Sequence, residues 1–370
     1  MCIRDRTYIG HETANGVPLV LETTSDTELM NNPRASVQQV YGRIMEDLDE
    51  AITLLTGASA RADKAEISVE VAYGLRARAN LLMGKWAAAA SDAAKAYGTS
   101  TPYSVADVSQ PTFYNATDNA WIWGIVVTTE DYLAKTGIVN WPSNLCSLTG
   151  MGYTTAASAT DVAYRLINKN LWAKIPETDV RKGWWVDEDL HSPVLDNGLG
   201  EDYAYYWANG MFNGGTFPSK FSPYTNVKFG PDNGTFADTD NAQDWPLMRV
   251  EEMKLIEAEA LGRDNLATGK QKLEEFVRQY RDPSYTCTAG SLDAFIDEVW
   301  FQRRVELWGE GFALFDILRL KKPIIRQGAN YPINSTFAEI AAEAPIMIYR
   351  IPEAETSVNS AITELSLIHI

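Results

Sequence analysis

Arg303-Arg304-Val305-Glu306-Leu307-Trp308-Gly309-Glu310-Gly311-Phe312-Ala313-Leu314-Phe315-Asp316-Ile317-Leu318-Arg319-Leu320 alternates formal charges with large apolar side chains. Charges in so apolar a run are buried only when they are paired and hydrogen-bonded. Arg303 or Arg304 with Glu306, Glu310 and Asp316 is therefore expected to form a partly buried ion-pair network beneath Phe312 and Phe315. Such a network fixes helix packing; it does no catalysis. Phe295, Val299, Val305 and Trp308 recur at helical spacing, which predicts a helix over 292–308. Gly309-Glu310-Gly311 interrupts it, a further turn or two reaches Leu320, and Pro323 ends the run.

Similar periodicity precedes this run. Residues 266–280 carry Leu273, Phe276, Val277 and Tyr280 on one side, and Leu247, Val250, Met253, Glu257 and Leu261 outline a helix from Pro246, ended by Gly262. Near the start of the chain, Ser36 offers an N-cap, without a capping-box Glu, to a helix on which Val40, Ile44, Leu48 and Ile52 share a face. A helix over 67–83 aligns Ala72, Leu75, Ala79 and Leu82 and stops at Gly84; another runs from Trp86 to Tyr97. Small residues, then Gly84, Trp86, Ala89 and a late Pro102 resemble one tetratricopeptide unit. The tail is irregular up to 346–352, which reads as a short strand before a turn.

Between Phe113 and Trp245 the helical period mostly disappears. Eight of the eleven tryptophans fall there, among abundant glycine and asparagine. A strand over 121–128 and a short helix over 161–174 are expected, and the rest reads as long ordered loops, which in compact proteins usually carry function. The chain thus divides into helix pairs over 7–112, a loop-rich aromatic insertion over 113–245, and helix pairs again over 246–364. Pairs of this kind pack into a curved scaffold with irregular loops on one side. The end strings 1–6 and 365–370 read as translated sequencing-adaptor remnants, so Cys2 is not taken for a lipid-bearing cysteine.

The insertion carries the functional expectation. A sugar ring presents an apolar C–H face and a rim of hydroxyls, so flat aromatic rings beside Asn or Asp suit it. Trp141 with Asn144, Tyr153, Trp184 with Trp185, and Tyr206-Trp207 with Asn209 supply those residue types and are the candidate ligand-binding residues. A net charge of −17, from 32 basic and 49 acidic side chains, repels phosphate backbones and argues against nucleic acid as partner. No apolar run approaches the roughly 18 residues of a membrane-spanning helix.

Catalytic motifs are missing. His11 and His191 stand in no metal-ligand spacing, and Cys146 and Cys287 are distant from each other in sequence, so neither a metal nor a cofactor is expected. Phosphate-cradling glycine loops and a Gly-x-Ser-x-Gly elbow are also missing from the sequence. Asp187, Asp189, Glu201 and Asp202 lie beside aromatics, and a glycosidase or lyase needs only two carboxylates roughly 5–10 Å apart. That enzyme, and a helical-repeat adaptor for peptides, are the alternatives to a sugar receptor.

The opening run also resembles the signature helix of the SusD/RagB family, through Arg303-Arg304-Val305-Glu306-Leu307, Glu310-Gly311, Phe315-Asp316-Ile317 and Arg319. Further blocks match in family order: Pro33-Arg34-Ala35-Ser36 with Val40-Tyr41, Ala72-Tyr73-Gly74-Leu75, Gly84-Lys85-Trp86, Pro246 to Glu252, and Ile351-Pro352-Glu353 with Asn359. The resemblance implies an all-α fold of tetratricopeptide-like helix pairs and a non-catalytic nutrient receptor for oligosaccharide. It also implies a SusC-like TonB-dependent transporter as partner and a lipid anchor on the outer membrane, expected in a part of the protein that this chain lacks. These family blocks are scaffold and name no sugar-contacting residue.

Overall fold

The computed structural model describes residues 7–135, 166–209, 211, 221–230, 242–329, 338–347 and 351–362. The fold is all-α apart from short two-stranded pairings, with its helices packed in tetratricopeptide-like pairs. The principal helices are α1 (Val37–Leu55), α2 (Val69–Leu82), α3 (Trp86–Tyr97), α4 (Pro193–Leu199), α5 (Glu201–Ala208), α6 (Val250–Asp264), α7 (Leu266–Tyr280), α8 (Leu292–Glu306) and α9 (Ala313–Arg319).

Helix α1 starts at the Ser36 cap, and its capping box is complete. Ser36 Oγ accepts the Gln39 N–H at 3.2 Å, and Gln39 Oε1 accepts the Ser36 N–H at 2.8 Å. Glutamine thus does the work for which a glutamate is missing. Val40, Tyr41 and Ile52 form its buried side, while Leu54 stays exposed. Helices α2 and α3 approach closely through Ala77, Ala89 and Ala93, all without solvent contact. Gly74 makes room on α2 for the Met248 side chain, since a Cβ there would lie 2.1 Å from Met248 Sδ and the thioether would have to move.

Helix α6 is the axis of the scaffold, touching α2, α3, α7 and α8. Its sequence looks half polar, yet Glu251, Glu252, Glu257 and Glu259 are all buried. Each has an answering partner: Arg281 for Glu251, Arg78 for Glu252, Tyr97 and Lys272 for Glu257, Arg319 and Arg263 for Glu259. Gly262 was expected to end this helix and does not. A Cβ on Gly262 would meet the Phe295 ring at 2.1 Å, and one on Gly269 would meet Gly262 Cα at 2.3 Å. The two glycines let α6 and α7 pack at backbone contact and let the Phe295 ring of α8 lie directly against α6. The expected strand near 346–352 is instead a short 3₁₀ turn at Pro345–Met347, with 348–350 outside the described residues.

Strand β1 (Trp121–Ile125) pairs antiparallel with β2 (Trp245–Arg249), which brings together the two ends of the insertion. The insertion has a core of its own, in which Phe113, Trp121, Trp184, Trp185, Trp207 and Phe229 pack together and Val305 of α8 joins them. This core is seated on the scaffold by charge. Glu306 accepts Arg281 Nε at 2.8 Å, and Arg181 and Arg249 approach it at 3.4 Å; Glu310 accepts Lys228 Nζ at 2.7 Å and Arg249 Nε at 2.8 Å. Gly309 and Gly311 both adopt positive φ, which turns the chain tightly enough to aim Glu310 inward between them. The ion-pair network expected from the sequence exists, with different partners. Only Asp316 meets Arg303, at 2.8 Å; Arg304 lies over the Trp300 ring.

A second buried chain of charges runs Arg303–Asp316–Arg319–Glu259–Arg263. Burial alone would raise the Glu259 carboxyl above its ordinary 4.5, but Arg319, Arg263 and Arg303 hold it down to about 2. A carboxylate with a depressed folded-state pKa stabilises the fold above its unfolded value, and that stability is lost as pH falls toward the folded one. The urea midpoint should therefore fall between about pH 4.5 and 2. Glu259→Gln should flatten this acid limb; an unchanged slope in the variant would refute the assignment.

Candidate functional site

The insertion is ordered from Asp179 onward by a sequence of caps. Asp179 accepts the Arg181 N–H at 2.9 Å and opens a 3₁₀ turn over Val180–Trp184. The Arg181 guanidinium reaches back to Asp179 and across to Gln302 of α8, both at 2.6 Å. The chain then runs extended through Trp185 and Val186; Trp184 O accepts the Val227 N–H, Val186 N–H donates to Thr225 O, and Val186 O accepts the Tyr224 N–H. At Asp187 it turns, with Oδ1 accepting the N–H groups of Asp189 and His191 at 2.9 Å. Ser192 caps α4, Pro193 occupies its first position, and Gly200 at φ +84 passes the chain into α5.

Helix α5 presents two faces. Ala204, Trp207 and Ala208 point into the insertion core, and Tyr205 and Tyr206 point out, 59% and 49% exposed. Their rings meet edge to face at 5.8 Å. Tyr203, also exposed, lies parallel to the buried Trp207 ring at 6.3 Å. The outward phenols therefore stand on a helix held in place by an indole with no solvent contact. Asn209 closes α5 and donates its side-chain N–H to Tyr205 O at 2.9 Å. The result is a small shelf of rings with polar hydroxyl tips, flanked by the exposed carboxylates Glu201 and Asp202.

A cavity of about 450 Å³ opens between the 177–187 turn and the start of α4. Trp172, Lys182, Trp185, Asp187, His191 and Asn197 are among its walls. Among the described residues no group of three His, Cys, Asp or Glu side chains stands close enough to hold a metal ion.

The SusD family model matches residues 153–364, more than half of the chain. The chain belongs to the SusD family. Solved SusD-like structures share its fold. A SusD-like carbohydrate binding protein from Bacteroides vulgatus aligns at a TM-score of 0.72 and 21% identity, covering 97% of this chain and 72% of that one. A SusD superfamily protein from Bacteroides thetaiotaomicron gives 0.72 at 18% identity, covering 98% and 73%. A laminarin binding SusD-like protein gives 0.53 at 19%, covering 95% and 74%. No curated protein sequence matches the chain.

Within this SusD-family fold the expected ligand residues separate. Trp184, Trp185 and Trp207 are interior, at 0%, 1% and 0% exposure, which corrects the reading of all three as rings of an open platform. Trp184 meets Phe113 at 5.4 Å and donates Nε1–H to Val108 O; Trp185 meets Trp308 at 5.6 Å. The reason is geometric. Trp184 and Trp185 lie where the chain passes between the α8 end and the 221–230 segment, and Trp207 falls one helical turn after Ala204 on the inner face of α5. Tyr206 is outside and Asn209 half-buried. Trp141, Asn144 and Tyr153 lie outside the described residues, as does Cys146; Cys287 is buried in the core shared by α6, α7 and α8. Of the four acids weighed for hydrolysis, Asp187 lines the cavity, whereas Asp189, Glu201 and Asp202 are exposed and are not among its walls. Sequence reasoning missed Trp172, Lys182, His191 and Asn197 as a group, because nothing in their spacing joins them.

Proposed function

We propose that this protein is a non-catalytic receptor for oligosaccharide at the cell surface, which hands its ligand to a SusC-like TonB-dependent transporter in the outer membrane. A lipid anchor holds it there. The supporting observation is the outward pair Tyr205 and Tyr206 on a helix anchored by Trp207, in a chain of the SusD family. Two structures of this fold are named for carbohydrate or laminarin binding, which fits the same reading. Phenol rings cover the C–H face of a pyranose, while their hydroxyls and the amide of Asn209 meet its rim. Trp141, Asn144 and Tyr153 are further candidate ligand residues by residue type alone. The acidic surface, with net charge −17, suits a neutral glycan better than an anionic one.

Titration calorimetry against a panel of neutral plant and host glycans tests the proposal. Binding should be weak, about micromolar to millimolar, without release of reducing sugar. Tyr205→Ala combined with Tyr206→Ala should weaken it about tenfold or more. If every glycan fails while peptides bind, the sugar assignment is wrong; release of reducing ends that stops on Asp187→Asn would replace the receptor with an enzyme.

A further inference from the structure

Helix α8 carries a cation that no described residue answers. Arg304 follows Trp300 by one helical turn, and its guanidinium lies 4.8 Å from the centre of that ring. Lys322, just beyond α9, stands 5.4 Å from the same ring. The two cations differ in what they meet. Lys322 Nζ is bonded to the Asp297 carboxylate, whereas Arg304 neither donates a hydrogen bond nor meets a carboxylate among the described residues. Arg303 beside it is committed to Asp316 at 2.8 Å. A half-buried guanidinium without a partner is costly. Packing pushes Arg304 below the ordinary arginine value, and burial is the one cause, with no opposing charge. Contact with a ring occupies none of its N–H donors. Those nitrogens are open to solvent, unlike Trp300 Nε1 and Arg303 Nη1, which are closed off without acceptors. The surroundings are basic as well. From Ile317 to Ala338 the sequence holds Arg319, Lys321, Lys322 and Arg326 and no acid, in a chain of net charge −17.

We propose that Arg304, held over Trp300, is a binding site for a single carboxylate group carried by a small ligand. The planar fork of a guanidinium matches the two oxygens of a carboxylate and takes both at once. Bound there, the anion supplies the charge and the acceptors that the protein does not. The charge of the whole chain narrows the choice. A net charge of −17 repels a dianion about twice as strongly as a monoanion, which favours a carboxylate over a phosphate dianion. Polyanions are excluded for the same reason. The carboxylate belongs to a free organic acid or to a uronic acid unit of a glycan; both present the same group. One charge-assisted pair supports binding no tighter than about millimolar. The Tyr205–Tyr206 shelf plays no part in this site, and the receptor reading stands or falls on neutral glycans.

The test is a titration of the whole chain, labelled with ¹⁵N at arginine, with sodium acetate, methyl glucuronoside, methyl glucoside and inorganic phosphate. Each is matched in ionic strength with sodium chloride and read at the arginine Nε–H resonances. Arg304→Lys and Arg304→Gln identify the Arg304 signal by its loss. That signal should shift saturably with acetate or the glucuronoside, and about fivefold less readily with phosphate. Methyl glucoside and chloride should leave it in place. Glucuronoside binding about tenfold tighter than acetate assigns the carboxylate to a sugar, and equal affinities assign it to a free acid. A signal that stays still, or follows ionic strength alone, makes Arg304 a solvated surface arginine and overturns the proposal. Phosphate binding as tight as carboxylate overturns it too. Neutral-glycan calorimetry reads the shelf separately, so failure at Arg304 leaves the receptor standing.

Discussion

Glu306→Ala should lower the unfolding free energy by about 3–5 kcal/mol, the cost expected when one partner of a buried ion cluster is removed. Glu306 closes α8 and faces Arg181, Arg249 and Arg281, and all four side chains are free of solvent. Burial alone would raise its carboxyl; Arg281, Arg249 and Arg181 hold it well below the ordinary carboxylate range. Without it three guanidinium groups remain in the interior with less than their compensating charge. Nearby, burial pushes the Lys228 ammonium down to about 8 even though Glu310 opposes the shift, so this region has little charge to spare. A loss of this size is a large part of the 5–15 kcal/mol that holds a typical domain together. Urea unfolding of Glu306→Ala and of the milder Glu306→Gln measures it. Asp47→Ala, which breaks the half-exposed Arg43–Asp47 pair on α1, is the reference and should change stability by about 0.5 kcal/mol or less. Equal losses in the two alanine variants would remove the cluster from its place as the link between insertion and scaffold.

Trp184→Ala should cost a similar amount, about 3–5 kcal/mol, for a different reason. The ring fills the centre of the insertion core, against Phe113 and Trp185, with Lys228 Nζ 4.9 Å above it. Truncation opens a cavity and leaves the Val108 carbonyl without its donor. Trp184→Phe keeps most of the volume and should lose less. The contrast with the shelf gives the experiment its force. Trp184→Ala should shift the unfolding midpoint while the folded fraction keeps its glycan affinity within about twofold, whereas Tyr205→Ala with Tyr206→Ala should weaken binding and leave the midpoint nearly unchanged, as exposed substitutions do. Loss of affinity in Trp184→Ala at full folding would return this indole to the ligand site.

The scaffold was legible because its signals are local. Apolar residues at helical spacing, the Ser36 cap and the Gly84 break each act within a turn or two of chain, and α1, α2, α3, α7 and α8 stand within a few residues of where the pattern puts them. The site was less legible. Aromatic residues in a segment without clear period serve a core or a ligand equally well by composition. In one place the signal was present: Ala204, Trp207 and Ala208 have helical spacing, and treating 201–208 as a helix turns Trp207 inward and Tyr205 and Tyr206 outward. At Trp184 and Trp185 no such signal exists, since burial there depends on a segment some forty residues later in the chain.

The sequence by itself determined the helix pairs, the insertion between them, the absence of recognisable catalytic motifs and the presence of buried charge at the signature run, because each follows from short-range spacing or from residue type. Only the tertiary structure decided which cations answer Glu306 and Glu310, which rings reach solvent, and which walls enclose a cavity. Arg181, Lys228, Arg249 and Arg281 come from four separate parts of the chain, and pairing over such separations is set by how the elements pack, a property that no local pattern of residues encodes.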